Sequence, residues 1–161
     1  MMEKSNAERF HARQVRFFLL AVCTMSLFSC TGTRPTTLGL VHSHLARCPD
    51  SPNCVSSEAT DPKHAILPFE LVVPSEEAWR LARLAVSSLA RTQIITETDN
   101  YLHAECRSAL FGFVDDLELH LMTDSVISVR SASRLGYSDM GVNRRRIEHL
   151  RLKLAEQGII R

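Results

Sequence analysis

The chain has 161 residues, is 45% hydrophobic and 23% charged, and carries a formal net charge of +1. That composition excludes collagen, a coiled coil, a multi-span membrane protein and an acidic tail protein. It leaves no basic excess that would argue for nucleic acid, and the length allows one ordinary domain.

The chain opens with four basic residues, Lys4, Arg9, Arg13 and Arg16, followed by an apolar run from Phe17 to Ser29. A helix needs ~20 apolar residues to span a bilayer, so this run is too short for a permanent span. A basic segment, a short apolar core and small residues at its end predict a secretory signal peptide over 1–29. Leu27-Phe28-Ser29-Cys30 resembles a bacterial lipobox, in which the cysteine takes lipid (palmitate among the acyl groups) and becomes the new N-terminus. Cys30 is therefore the expected lipidation site, and the membrane an expected partner through that anchor. The expected place is the cell envelope, facing the periplasm. Thr31, where an Asp would retain the protein at the inner membrane, permits transfer to the outer one. The competing reading is an ordinary cleaved signal with Cys30 incidental. Thr31 to Arg47 contains Gly32, Pro35, Thr36, Thr37 and Gly39 without periodicity and reads as a tether. The expected organisation is a signal peptide over 1–29, a lipidated cysteine and tether over 30–47, and a single globular domain over 48–161.

Export governs the reading of Cys48-Pro49-Asp50-Ser51-Pro52-Asn53-Cys54. Two cysteines flanking prolines and turn formers can close a small disulfide loop in an oxidising compartment. Half of a zinc site is the alternative, but zinc pairs usually stand closer together and need further ligands that nothing fixes here. Cys106 is then the odd thiol. It alternates with Leu102 and Ala104 and so belongs on an apolar strand face as a buried, inert group.

Phe69 to Val73 reads as a strand. Pro74-Ser75-Glu76-Glu77 predicts a helix start, with a Ser cap and carboxylates at the positive end of the dipole. Ala78, Leu81, Ala82, Ala85 and Leu89 recur at helical spacing through Arg91. Thr92 to Glu97 and Tyr101 to Arg107 form a hairpin through Thr98-Asp99-Asn100. Val114 to Met122 and Val126 to Arg134 form another through Thr123-Asp124-Ser125.

The second turn fixes a register. Leu121 faces Ile127, Leu119 faces Val129 and Leu117 faces Ser131 on a core face, with Asp115 opposite Ser133 at its end. His120 with Ser128 and Glu118 with Arg130 fall on the other face, joined by His103, Glu105 and Arg107. The plain expectation for that ionisable face is a solvated side of an antiparallel sheet. The competing one is a ligand surface.

The last helix is expected from about Val142 to Gln157, stopped by Gly158, with Ile147, Leu150 and Leu154 as its apolar stripe. Arg144, Arg145 and Arg146 crowd its first turn, where the dipole disfavours cations. The missing anion is internal (Asp115, Asp116 or Glu148) or an external phosphate, carboxylate or sulfate.

Arg130 to Arg144, with Arg134-Leu135-Gly136-Tyr137-Ser138-Asp139-Met140-Gly141-Val142-Asn143-Arg144 at its heart, resembles a signature of domain-of-unknown-function family 1499 of bacteria and plastid-bearing eukaryotes. Cys48-Pro49, Ser51-Pro52-Asn53-Cys54-Val55-Ser56-Ser57, Asp61 and His64 resemble that family's opening block. Arg107-Ser108 and Phe113-Val114-Asp115-Asp116-Leu117-Glu118 resemble its middle block. Cys106 stands where an aromatic or aliphatic residue is expected, so no role passes to it. The resemblance spans Cys48 to about Leu154 and implies a shared fold and polar cluster, without an activity.

The expected fold is α+β, in order β-α-β-β-β-β-α, its mainly antiparallel sheet covered on one face by two helices. The expected function is non-catalytic binding of an anionic ligand or partner: a small molecule, a lipid head group or an envelope polymer. Arg107, Arg134, Asn143 and Arg144 would contact the anion. Asp115 and Asp139 would orient the arginines, and Ser131, Ser133 and Tyr137 would add hydrogen bonds. No catalytic residue, cofactor, metal site or nucleic-acid partner is assigned. One alternative is a hydrolase with His64 and Asp61 as base and Ser131 or Ser133 as nucleophile. No nucleophile elbow, metal-binding histidine pair or phosphate loop accompanies them. The other makes the motif purely architectural, every arginine being satisfied by internal carboxylates and carbonyls.

Overall fold

The computed structural model describes residues 32–123 and 125–161. The signal segment and Cys30 lie outside the described residues, as does Asp124 of the second hairpin turn. The elements are β1 (Cys54–Ser56), β2 (Phe69–Glu70), α1 (Ser75–Ser87), β3 (Thr92–Glu97), β4 (Tyr101–Arg107), β5 (Val114–Thr123), β6 (Val126–Ser133) and α2 (Val142–Glu156). The strands form one antiparallel sheet ordered β1-β6-β5-β4-β3, with β2 also paired to β6 beyond the end of β1. The fold is α+β as expected, with β1 added at the front. Three residues inside a block of prolines, Ser and Asn give too short an alternation to read as a strand.

Alternation along β4, β5 and β6 builds the core. Leu102, Leu117, Leu119, Ile127 and Val129 point to one side and meet Ala82, Ala85 and Val86 of α1 and Ile147, Leu150 and Leu154 of α2. Each large side chain buried there contributes ~1.5–3 kcal/mol from area removed from water. The register is as the turn predicts through Leu121, including Leu117 with Ser131 and Asp115 with Ser133. It then slips by one, so Thr123 rather than Met122 faces Val126. Such a bulge inserts one residue on one strand beside the turn.

Helix α1 departs from expectation at both ends. Its cap is Pro74, with no side-chain cap bond, and Ser75 is already helical. It stops at Ser87 rather than Arg91. The Ser87 and Ser88 hydroxyls donate back to Leu84 O and Ala85 O, and Arg91 takes a positive φ of 54° that leads into β3.

Residues 32–47, expected to be a tether, lie across the polar side of the sheet. Arg34 reaches Glu105 at 2.7 Å, the Gly39 amide donates to Glu118 at 3.1 Å, and Leu45 is buried. His42 and Ser43 both have positive φ, and Val41 and His44 exchange backbone bonds around them. This tight reversal turns the chain toward Cys48. The Cys48–Cys54 disulfide, Cα–Cα 5.6 Å, then fastens the segment to β1. The ionisable side of the sheet is consequently buried, not solvated. His103, Glu105, Asp116, Glu118, His120 and Arg130 are each under a tenth exposed.

Candidate functional site

The expected site residues separate onto the two sides of the sheet. Asp115 and Asp116 are adjacent in β5, so the pleat sends one to each side. On the helix side, Asp115 accepts from Arg146 Nη2 at 2.6 Å. The Ser131 hydroxyl donates to Asn143 Oδ1 at 2.6 Å. Asn143 Nδ2 donates to Ser133 Oγ and to the Asn53 carbonyl, both at 3.0 Å. Arg146 also reaches Ser131 Oγ and Asn143 Oδ1. Asn143 is fully buried, and its amide uses both N–H groups and its carbonyl inside the fold. Cys106 faces Asp115 across the β4–β5 ladder, buried and unoxidised, its thiol pushed up by burial.

On the opposite side, Arg134 is the centre. Its Nε and Nη2 bond both oxygens of Asp116 at 2.9 and 2.6 Å, and Nη2 also reaches Glu105 at 2.7 Å. His103 Nε2 stands 2.7 Å from Asp116, and Glu105 receives Arg34 and, at 3.3 Å, Arg107. Burial works to raise both carboxyls, yet the bonds from Arg134, with Arg34 on Glu105 and His103 on Asp116, hold them below their ordinary values. Asp116 in turn holds the Arg134 guanidinium well above its ordinary value. One strand step away, the fully buried Glu118 accepts from Arg130, from the Tyr101 hydroxyl at 2.8 Å and from the Gly39 amide. Burial first, and then Glu118, pushes the Tyr101 phenol far up. The carboxylates of this bank are thus all met from within the fold, by buried Arg130 and Arg134 and by the half-exposed Arg34 and Arg107, while the buried Arg130 Nε has no hydrogen-bond partner among the described residues.

The remaining residues sit at the start of α2. Asp139 accepts from the Gly141 and Asn143 amides at 2.9 and 2.7 Å and so caps the helix start, while of the anions expected to offset the three arginines it is Asp115 that meets Arg146. Gly141, at φ 79°, occupies a conformation that L side chains rarely adopt. Arg144 donates to the carbonyls of Ala65 and Lys63, and Arg145 to that of Met140. Tyr137 is 74% exposed, and its hydroxyl makes no hydrogen bond to the others. The expected convergence of Asp115, Arg107, Arg134 and Arg144 does not occur, because the sheet stands between them. Arg146, the true partner of Asp115, was not singled out among three successive arginines. Each lies ~100° round the helix from the next, so its direction follows from how α2 rolls on the sheet. Asn53, Glu105 and Asp116 also belong to these clusters; their signal was position inside the matched blocks and strand parity.

His64 is buried, with Nδ1 against Asp61 and Nε2 3.1 Å from the Ser51 carbonyl. The bond from His64 holds the exposed Asp61 carboxyl below its ordinary value. Both ring nitrogens are therefore engaged with oxygens of the fold.

A groove of about 1100 Å³ lies where residues 36–48 meet 56–61 and Met122. Its acids are engaged: Glu58 accepts from the Leu45 amide and from His44, and Asp61 from His64. Arg47 and His42, which also line it, are exposed and make no hydrogen bond or ion pair.

Residues 44–154 match the family model described as Protein of unknown function (DUF1499), so the chain belongs to that family. No curated protein matches the chain, and no solved structure does. The family's opening and closing blocks meet in space through Asn53, Ser133 and Asn143, and through Arg144 on the 63–65 loop.

Proposed function

We propose that this chain is a lipid-anchored envelope protein whose domain binds an anionic ligand or partner without catalysis, and that the ligand sits in the groove beside Arg47. The leader, its terminal Cys30 and the Cys48–Cys54 disulfide support the envelope reading. No helix among the described residues is long and apolar enough to cross a membrane. The observation that carries the binding reading is the charge state of the groove. Its carboxylates are engaged within the protein, while Arg47 and His42 are left without partners. A guanidinium free of internal carboxylates can bind a phosphate or carboxylate at two points.

The arginine motif reads instead as a brace, because Arg134, Arg144 and Arg146 end on internal carboxylates and carbonyls. The hydrolase alternative is weakened by the same accounting. Ser131 is engaged with Asn143, Ser133 accepts from it, and His64 has no free ring nitrogen.

The test is thermal unfolding of residues 31–161 across phosphates, sulfate and carboxylates. An anion at ~100 times its dissociation constant should add ~2.7 kcal/mol. Arg47→Ala is expected to abolish that gain while leaving the unliganded melting temperature in place. If no anion shifts the transition, or if Arg47→Ala keeps the shift, the groove is not the seat.

A further inference from the structure

One end of the sheet carries large apolar side chains that stand exposed among the described residues. The β4–β5 connection is closed by the Ser108 amide on Phe113 O and the Phe113 amide on Ser108 Oγ. It presents Leu110 at 81% exposure and Phe111 at 64%, with the Phe111 and Phe113 rings 5.6 Å apart. Beside it, Arg134 N bonds Val114 O, which sets the β6–α2 loop against the first. That loop adds Leu135, Tyr137 and Met140, the last at 87% exposure. Apolar clusters of this kind on a soluble domain mark an interaction surface.

The course of the chain identifies the occupant. Gly32 lies so close to Arg134 and Leu135 that a Cβ on it would fall 3.0 Å from Leu135 Cγ. The polypeptide thus enters the domain at this same end. Cys30 is two residues upstream, a covalent reach of ~7 Å at most. Cationic side chains stand beside the patch: exposed Arg91, bonded to Arg107 O; Arg107, which holds Glu105 at 3.3 Å through one nitrogen and is 45% exposed; and Arg145, bonded to Met140 O. Aromatic, Met and Leu side chains ringed by arginines match the layered chemistry of a lipid surface, acyl boundary inside and phosphates outside.

We propose that this end of the domain docks on the bilayer beside the lipidated cysteine, with the tips 110–113 and 135–140 in the headgroup layer and the arginines on lipid phosphates. The proposal rests on the lipid-anchor reading of Cys30. With acyl chains supplying the attachment, the patch supplies orientation.

The test uses the full lipidated chain in vesicles of phosphatidylethanolamine and phosphatidylglycerol with brominated acyl chains. The native Trp79, bonded to Thr98 O at the other end of the sheet, is an internal unquenched reference. Phe111→Trp adds an indole at the patch, and Leu152→Trp adds one to the exposed far part of α2. The expected result is loss of the added emission, down toward the wild-type level, for Phe111→Trp and none for Leu152→Trp. If the protein floats with the vesicles but position 111 is not quenched, or both positions are quenched alike, docking is overturned and the anchor stands. If mass spectrometry finds no acyl chain on Cys30 and the chain still floats with position 111 quenched, the anchor reading falls and docking stands. If no form floats, both fall.

Discussion

Arg134 shows what a single side chain does in this protein. Its guanidinium is 5% exposed and holds two carboxylates that face the same side of the sheet. Removing it leaves Asp116 buried with His103 alone and Glu105 with the half-exposed Arg34 and Arg107. Arg134→Ala is therefore expected to lower stability by ~3–5 kcal/mol in urea unfolding, and Arg134→Lys to recover little of it, because an ammonium cannot bond both Asp116 oxygens in the plane of the fork. Arg47→Ala, on an unpaired exposed residue, should stay within ~0.5 kcal/mol of wild type. A small loss at Arg134 would mean that its carboxylates find other partners. The sequence carried the polar residues of the motif and the opposite facing of Asp115 and Asp116. It did not carry the allocation of arginines to carboxylates, which depends on the roll of α2 and on the segment lying over the sheet.

Among the elements, strand pairing was the most legible. A three-residue turn and a period of two specify every pair from Asp115–Ser133 to Leu121–Ile127. The segment over 32–47 was the least legible. It binds through a backbone amide, one guanidinium and a few apolar contacts, so it has no periodicity and looks like a linker. The polar face reads as solvated for the same reason, since its cover leaves no pattern of its own. The Cys48–Cys54 link holds the end of this segment to β1. Replacing both cysteines by serine is expected to lower stability by about 2 kcal/mol, from the entropy of closing a short loop. In limited proteolysis mapped by mass spectrometry, the first new cuts should fall within 32–47. First cuts in the β4–β5 hairpin would show that the link stabilises the sheet rather than its cover.

For the whole molecule, the buried charges make stability depend on acidity in a stated direction. Glu105 and Asp116 are held below their ordinary values, so the unfolded chain binds more protons than the folded one as pH falls. Their contribution is complete above the ordinary carboxylate range of about 4 and is lost as pH drops through the lower folded values. His120 adds an earlier window. Burial lowers its proton affinity, and its Nδ1 has no hydrogen-bond partner, so the unfolded chain takes up that proton first. Stability should thus decline modestly from about pH 6.5 and steeply below pH 4. Urea midpoints across pH 3–8 check this: His120→Gln is expected to remove the early decline and keep the late one, and a maximum below pH 5 would contradict it. The cover over the polar face has one further consequence. The family match begins at residue 44, whereas the compact unit begins at 31. A fragment cut at the motif's own edge would lose Arg34 from Glu105 and the Gly39 amide from Glu118, and would present a wet, uncompensated flank where the intact chain is dry. The part of the polypeptide that looks like packaging is thus the sixth side of the box.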